Sequence, residues 1–396
     1  MKSTAGKSEN SEYLTEQLIT YLGNKRTLLP FIGDGISLVQ KSLGVKKLAA
    51  FDVFSGSGIV SRYLKQYASH IYANDMESYA QIISNCYLAN EKEIDIARLH
   101  LLYAQLQETV STQIKHYVSQ DGTSFKQKVT STTNGFPGFI SQLYAPFDMN
   151  DIKKGERCFY TPYNACYIDL MRQAITKMVP IDLQHFFIAP LLAQASVHAN
   201  TGGIFKGFYK SSETGIGKFG GNGADALSRI TGNISLPFPI FSKNRCKYTV
   251  FCKNANDLVA SENSPHVDVA YIDPPYNQHP YGSNYFMLNL IASYTRPDER
   301  IMSRVSGIPR DWNRSLYNKH PSAAETFLDL VQHIDAKYLL VSFNNEGFIP
   351  QEQMISLLDS VGKVTVLQSP YNAFRASRNL SNRNIHVTEY LYVVKK

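Results

Sequence analysis

The chain has 396 residues, 43% of them hydrophobic, and carries a formal net charge of +7 with a pI near 8.9. That length and apolar content bury a sizeable core, which excludes an intrinsically disordered protein and predicts two domains. The basic excess suits a polyanionic partner, although many basic proteins bind no nucleic acid. Cys86, Cys158, Cys166, Cys246 and Cys252 form no CxxC or Cys/His pattern with zinc spacing, so reduced thiols and no metal site are expected. Met1 to Asn10 is polar and lacks the apolar core of a signal peptide. Nor does any run of about 18 apolar residues occur, so a soluble intracellular protein without a membrane partner is expected.

The polar lead-in predicts a mobile start, after which Tyr21-Leu22-Gly23-Asn24-Lys25-Arg26 precedes an amphipathic helix over Thr27–Leu43. A loop opening a helix presents free N–H groups, and Lys25 adds a positive charge, so a carboxylate can dock there. A solvated basic turn is the plainer alternative. Leu48–Phe54 is a predicted strand, followed by Ser55-Gly56-Ser57-Gly58 and a helix through Gln66. Glycines at such a turn let the backbone approach a nucleotide-like ligand. Ser61 stands where a dinucleotide fingerprint has its third glycine, which favours a cofactor without pyrophosphate. The next predicted strand, Ile71–Asp75, ends in an acid at close to the spacing that grips ribose hydroxyls, as an adenosyl group requires.

Residues 91–243 are too many for a crossover and predict an inserted domain. A helix over Ile94–Val118 places Leu99, Leu102, Leu106 and Val110 on one face. Gln120–Arg157 turns to Ser, Thr, Gly, Asn and Pro, which predicts irregular loops. Helices are expected again over Asp169–Val179 and Leu183–His198, the second kinked at Pro190. Asn200–Lys210 then mixes glycines with Phe205, Lys206, Phe208, Tyr209 and Lys210, and a loop with Lys218 and Arg229 follows. A glycine-rich hairpin of this kind can stack on bases while its lysines meet phosphates, or its aromatics can simply be packed. Gly215-Ile216-Gly217-Lys218-Phe219-Gly220 satisfies GxGxxG but follows no buried strand, so it is expected to be a flexible loop.

Lys247–Cys252 is a predicted strand with Asp257 just beyond it, placed either to accept an adenine amino group or to cap the next segment. Val267–Ile272 reads as a buried strand that Asp273-Pro274-Pro275-Tyr276 ends abruptly. The set suits methyl transfer to a conjugated amine, whose lone pair is delocalised and needs help. Asp273 and the Pro274 carbonyl can accept its two N–H bonds, the prolines fix that carbonyl, and Tyr276 offers a face to a flat base. Tyr281, Asn284, Tyr285 and Phe286 follow as an expected aromatic lid. Arg304, Arg310, Arg314 and Lys319 fit either a phosphate-contacting surface or a solvated loop. Strands are expected over Lys337–Phe343, Val364–Gln368 and His386–Val394 and a helix over Gln351–Asp359, with Arg375, Arg378 and Arg383 in a mobile backbone-gripping loop.

In this order, the Tyr21–Lys25 segment, the Phe54–Gly58 turn, Asp75 and the Asp273–Tyr276 motif resemble the Dam-type, or alpha-group, DNA adenine-N6 methyltransferases of type II restriction-modification systems. The resemblance implies an α/β fold: a Rossmann-like sheet for S-adenosyl-L-methionine (SAM), with an inserted target-recognition domain. Residues 1–90 and 244–396 would form the catalytic domain and 91–243 the insertion. It implies cofactor contacts from Tyr21, Asn24, Lys25, Phe54, Gly56, Gly58, Asp75 and Asp273, with Asp257 as the adenine-binding acid. Asp273, Pro274 and Tyr276 would act on the target base. DNA contacts are expected from Lys206, Phe208, Tyr209, Lys210, Lys218, Arg375 and Arg378. The implied partner is double-stranded DNA, and where the resemblance extends to a whole restriction-modification system it implies a cognate endonuclease that would act on the same site without stable contact. The implied state is a monomer or weak dimer in the cytoplasm of a prokaryotic cell or its phage. Cytosine-N4 enzymes, which more often carry Ser at the place of Asp273, RNA base methyltransferases and a catalytically silent DNA-binding relative are the competing readings.

Overall fold

In the computed structural model, residues 9–16, 18–126, 135–221, 224–372 and 386–396 are described. The β-branched and aromatic runs form a seven-stranded sheet: β1 (Leu48–Asp52), β2 (Ala68–Asp75), β3 (Lys247–Cys252), β4 (Val267–Ile272), β5 (Ala336–Asn344), β6 (Lys363–Asn372) and β7 (His386–Lys395). Their order is β3-β2-β1-β4-β5-β7-β6, all parallel except β7, which runs antiparallel between β5 and the edge strand β6. β1 and β4 are buried almost throughout, as interior parallel strands covered on both faces must be. The chain leaves β1 toward β2 on one side and returns to β4 on the other, so a switch point lies between β1 and β4. Asp52 pairs with Tyr271 there, which places the Ser55–Gly58 turn and Asp273 at the same carboxyl edge.

The helices are α1 (Leu29–Leu43), α2 (Ile59–Leu64), α3 (Ser78–Leu88), α4 (Ile96–Tyr117), α5 (Phe139–Tyr144), α6 (Pro162–Met178), α7 (His185–Val197), α8 (Ala224–Thr231), α9 (Ala255–Val259), α10 (Tyr281–Asn284), α11 (Phe286–Ser293), α12 (His320–His333) and α13 (Gln351–Asp359). α1 and α2 pack on one face of the sheet through Ile32, Ile36 and Val60, whereas α9, α12 and α13 cover the other through Leu258, Phe327 and Met354. Leu99, Leu102, Leu106 and Val110 of α4 are buried as their spacing requires. Segment 91–243 shares one apolar core with the sheet's flanking helices, since Ile140, Ile168 and Leu191 cluster with Tyr79 and Ile83 of α3 and Met287 and Ile291 of α11.

Three expectations change. The lead-in is docked from Glu9 to Glu16: Tyr13 is fully buried, its hydroxyl donates to the Tyr87 carbonyl, and the Arg62 guanidinium lies 4.6 Å from its ring. Within Gln120–Arg157 a short buried helix, α5, forms because the Asp169 carboxylate accepts from the Ile140 and Ser141 amides at 3.2 and 2.7 Å. α6 begins at Pro162, seven residues before the expected start, because Thr161 caps it by accepting from the Asn164 amide and proline suits its first turn.

Candidate active site

A cavity of about 940 Å³, its open mouth included, lies at the carboxyl ends of β1 and β4. Its floor begins with the glycine turn. Gly58, at φ +75°, opens α2, and Gly56, at φ +49°, brings its backbone to the cavity. A Cβ on Gly56 would stand 2.8 Å from Cε1 of Tyr21, so only glycine fits there. The Gly56 amide donates to Asp75 at 2.8 Å, and the other Asp75 oxygen accepts from the Glu77 amide at 3.0 Å. Asp75 therefore holds the turn in shape as well as facing the cavity; burial pushes its carboxyl up to about 6 against those hydrogen bonds.

Beside the turn, Asp273 stands at the end of β4 with Lys25 Nζ 3.2 Å from its Oδ1. The same ammonium lies 2.9 Å from Oε1 of Glu389 on β7, and that oxygen also accepts from Ser342 Oγ at 3.0 Å. Burial opposes the Lys25 charge, but the carboxylates of Asp273 and Glu389 outweigh it and hold the ammonium well above its ordinary range. Burial pushes the Asp273 carboxyl up to about 6 while Lys25 pulls it down and Glu389 pushes it up. At the last position of β1, Asp52 accepts from Ser61 Oγ, and burial raises its carboxyl to about 7.

Tyr276 is half-buried and lines the cavity, and its hydroxyl accepts from Asn344 Nδ2 at 3.1 Å. Across from it Tyr21 stacks on Tyr281 and Tyr285 with centroids 5.0 and 4.8 Å away. The Tyr281 hydroxyl donates to the Leu22 carbonyl, and the Leu22 amide donates to the Tyr285 hydroxyl, so the Tyr21–Lys25 segment is fastened to the wall. The expected lid is corrected: Tyr281 faces the cavity, but Asn284, Tyr285 and Phe286 are buried because α10 and α11 carry them into the core.

The cavity gathers Tyr21, Asn24, Lys25, Phe54, Gly56, Asp75, Asp273, Pro274 and Tyr276. Gly58 lies behind the lining and serves the turn. Asp257 is not among the lining residues: it sits exposed on α9, whereas Asn254 lines the cavity and caps that helix by accepting from the Asn256 and Asp257 amides. The chain turns into α9 at Ala255, two residues before Asp257, and the helix carries that acid to the surface. Unforeseen as well is a rim built on Glu77, whose carboxylate accepts from Asn289 Nδ2 at 2.5 Å and Asn313 Nδ2 at 3.2 Å. Burial, helped by Asp75, raises that carboxyl to about 7. Asn313, Ser315, Tyr317 and Asn318 close this side, next to Trp312, over which Arg314 lies at 4.3 Å. In the sequence the rim's signal is a pair of acids two positions apart, Asp75 and Glu77, at and just beyond the end of β2.

Segment 200–220 differs from the hairpin expected over Gly202–Lys210. Buried Asn200 donates to the Cys158 and Lys218 carbonyls and accepts from the Gly220 amide, pinning a tight turn between Lys210 and Gly217. Phe205 is buried against Phe159 and Phe286, so it is closed to bases, and its amide donates to the Asn284 carbonyl at 2.7 Å. Phe208 meets Phe159 edge-on, with Lys210 Nζ 4.9 Å from its ring, and Tyr209 is half-buried. Lys206 and Lys218 are exposed, as are Arg304, Arg310, Arg314 and Lys319. Arg375, Arg378 and Arg383 lie outside the described residues.

A mostly parallel sheet with one antiparallel strand beside its edge, a glycine turn and an Asp-Pro-Pro-Tyr strand end define the class: methyltransferases acting on a base amino group. The chain belongs to the D12 class N6 adenine-specific DNA methyltransferases, whose family profile matches residues 21–344. It is similar to the type II methyltransferase M.NlaIII of Neisseria lactamica, at 27% identity over 96% of this chain and 99% of that protein. M.CviAII of Paramecium bursaria Chlorella virus 1 is 26% identical over 95% of this chain and 98% of the viral one. Modification methylase StsI of Streptococcus sanguinis is 24% identical over 95% of this chain but only 52% of its own length. The enzyme is therefore an adenine-specific DNA methyltransferase, and the cytosine, RNA and silent readings give way. Among the described residues no helix is long and apolar enough to cross a membrane.

Proposed function

We propose that the cavity binds SAM against the Gly56 turn and methylates N6 of an adenine extruded from duplex DNA, with Asp273, Pro274 and Tyr276 holding the base. What carries this reading is one juxtaposition: a half-buried, lysine-paired carboxylate beside a glycine turn where Gly56 admits no Cβ, with a half-buried tyrosine at its side. The residues fit the cofactor. Asp75 presents a half-buried acid to hydroxyl groups, Asn24 suits a carboxylate, Lys25 borders the same space while it holds Asp273, and Phe54 and Asn254 complete the lining.

Bound there, SAM supplies a methyl group whose bond to sulfur breaks with the electron pair left on sulfur. Asp273 and the Pro274 carbonyl accept the two N–H bonds of the adenine amine, and its nitrogen lone pair forms the new N–C bond. Tyr276 stacks on the extruded purine. The nitrogen sheds one proton after transfer, so Asp273 orients the amine and need not deprotonate it first. Alignment in a water-poor site provides most of the acceleration.

Segment 91–243 then serves as the target-recognition part, with Lys206, Phe208, Tyr209, Lys210 and Lys218, and the Arg375–Arg378 stretch, on DNA. The names of the relatives favour the modification half of a restriction-modification system, working as a monomer or weak dimer in the cytoplasm beside an endonuclease that shares its site. Sequencing with modification detection on DNA from cells expressing the chain tests it: N6-methyladenine in one fixed context is expected. Unmodified DNA would overturn the reading.

A further inference from the structure

We propose that Glu389 is a positioning residue for methyl transfer: by sharing Lys25 with Asp273 it keeps the buried cluster at the end of β4 net anionic, and so makes the cavity prefer a cationic sulfonium to a neutral thioether. The inference rests on the reading that this cavity binds SAM. Glu389 lies on β7, beyond the residues that the family profile matches.

Lys25 and Glu389 are 4% and 1% exposed, so neither charge is relieved by water. A lysine and Asp273 alone would form a neutral buried pair complete in itself. A second buried carboxylate is costly unless something compensates it. Yet β7 fixes Glu389 there: it is in register with Asn344 of β5 and Ser369 of β6, and Ser342 Oγ steadies the oxygen that Lys25 meets. One ammonium between two carboxylates leaves one negative charge in a low-dielectric place, where charges act strongly on each other. Were Glu389 absent, the Lys25 ammonium would confront an incoming sulfonium with Asp273 alone to balance it, and Asp75 and Glu77 would be the remaining acids of the cavity. During transfer positive charge passes from sulfur to the adenine nitrogen that Asp273 holds, and the cluster favours both ends of that passage. Afterwards the thioether product is neutral and loses the attraction, which helps exchange.

The test is calorimetric titration of the full chain with SAM and, separately, with S-adenosylhomocysteine. Wild type should prefer the sulfonium. Glu389→Gln should lose about tenfold of that preference while thioether affinity stays within about threefold, and Glu389→Asp, which keeps the charge, should retain it. If Glu389→Gln weakens both ligands in parallel, or leaves the ratio unchanged, Glu389 is merely structural and the inference falls. Should that variant not fold, Lys25→Met/Glu389→Gln restores a single negative charge and should show the wild-type ratio within about threefold; a lost ratio overturns the proposal. If wild type binds neither ligand, the functional reading itself fails, which is a distinct result.

Discussion

The floor of the cavity and the segment that precedes α8 are built on opposite plans. At the floor, Lys25 is ion-paired to Asp273 and Glu389, Asp75 accepts from two backbone amides, and the ends of β2 and β4 and the register of β7 fix where the three acids stand. In segment 200–220 the buried anchors are Asn200 and Phe205, while Lys206 and Lys218 extend into solvent from an irregular backbone. Chemistry demands sub-ångström placement and receives a scaffold; a charged polymer can be met by side chains that adjust to it. The contrast predicts that substitutions at the floor act on catalysis and cofactor, steeply, and that those in the segment act on DNA binding, gently.

The strongest way to break the contrast is Asp273→Ala, for which a loss of about 10³-fold or more in methyl-group incorporation is expected, with DNA binding by gel shift largely intact. Retained turnover would remove Asp273 from the site. Next, Gly56→Ala should weaken SAM by at least about tenfold in calorimetry, since its Cβ meets Tyr21 and its φ is positive. The pH dependence sharpens the same point. Asp273 must be ionised to accept the amine, and its carboxyl in the free protein is raised to about 6, so kcat/KM should fall as pH drops through about 6, roughly tenfold per unit below it.

Stability should run the other way. The Asp52 and Glu77 carboxyls are raised to about 7, so the folded protein holds protons there that the unfolded chain has released. Their contribution to stability is full below about pH 4 and is lost as pH rises to about 7. Asp52→Asn should therefore raise the unfolding midpoint more at pH 8 than at pH 5; an equal shift at both would refute the ionised burial. Smallest of all, Lys206→Ala and Lys218→Ala should each weaken DNA binding severalfold and reduce the salt slope by about one, read by fluorescence anisotropy. A thousandfold loss from either would erase the distinction between the two regions.

The same distinction explains what was legible in the sequence. β1, β2, β3 and β4 announce themselves through continuous β-branched and aromatic runs, and the glycine turn and Asp273–Tyr276 follow them with no freedom to go elsewhere. Tyr21 and Lys25 could be placed because a short loop opens α1. Glu389 was invisible, because its partner is 364 residues away and an acid in an alternating edge-side strand looks solvated. Where Asp257 would stand depends on the turn into α9, which no local pattern gives, and the Glu77 rim depends on Asn289 and Asn313, which meet only in three dimensions. The Gly202–Lys210 segment had the composition of a hairpin, but Phe205 gains more from the core than from water, and Asn200 moves the turn to a later place.

The rim has a practical corollary. The chain contains a single tryptophan, Trp312, and its neighbour Asn313 is tied to Glu77 at the mouth of the cavity. The intrinsic emission of the protein at long wavelength thus comes from one indole, beside Arg314 and one residue from the cavity lining. Ligand entry can be followed in stopped flow without attaching any dye.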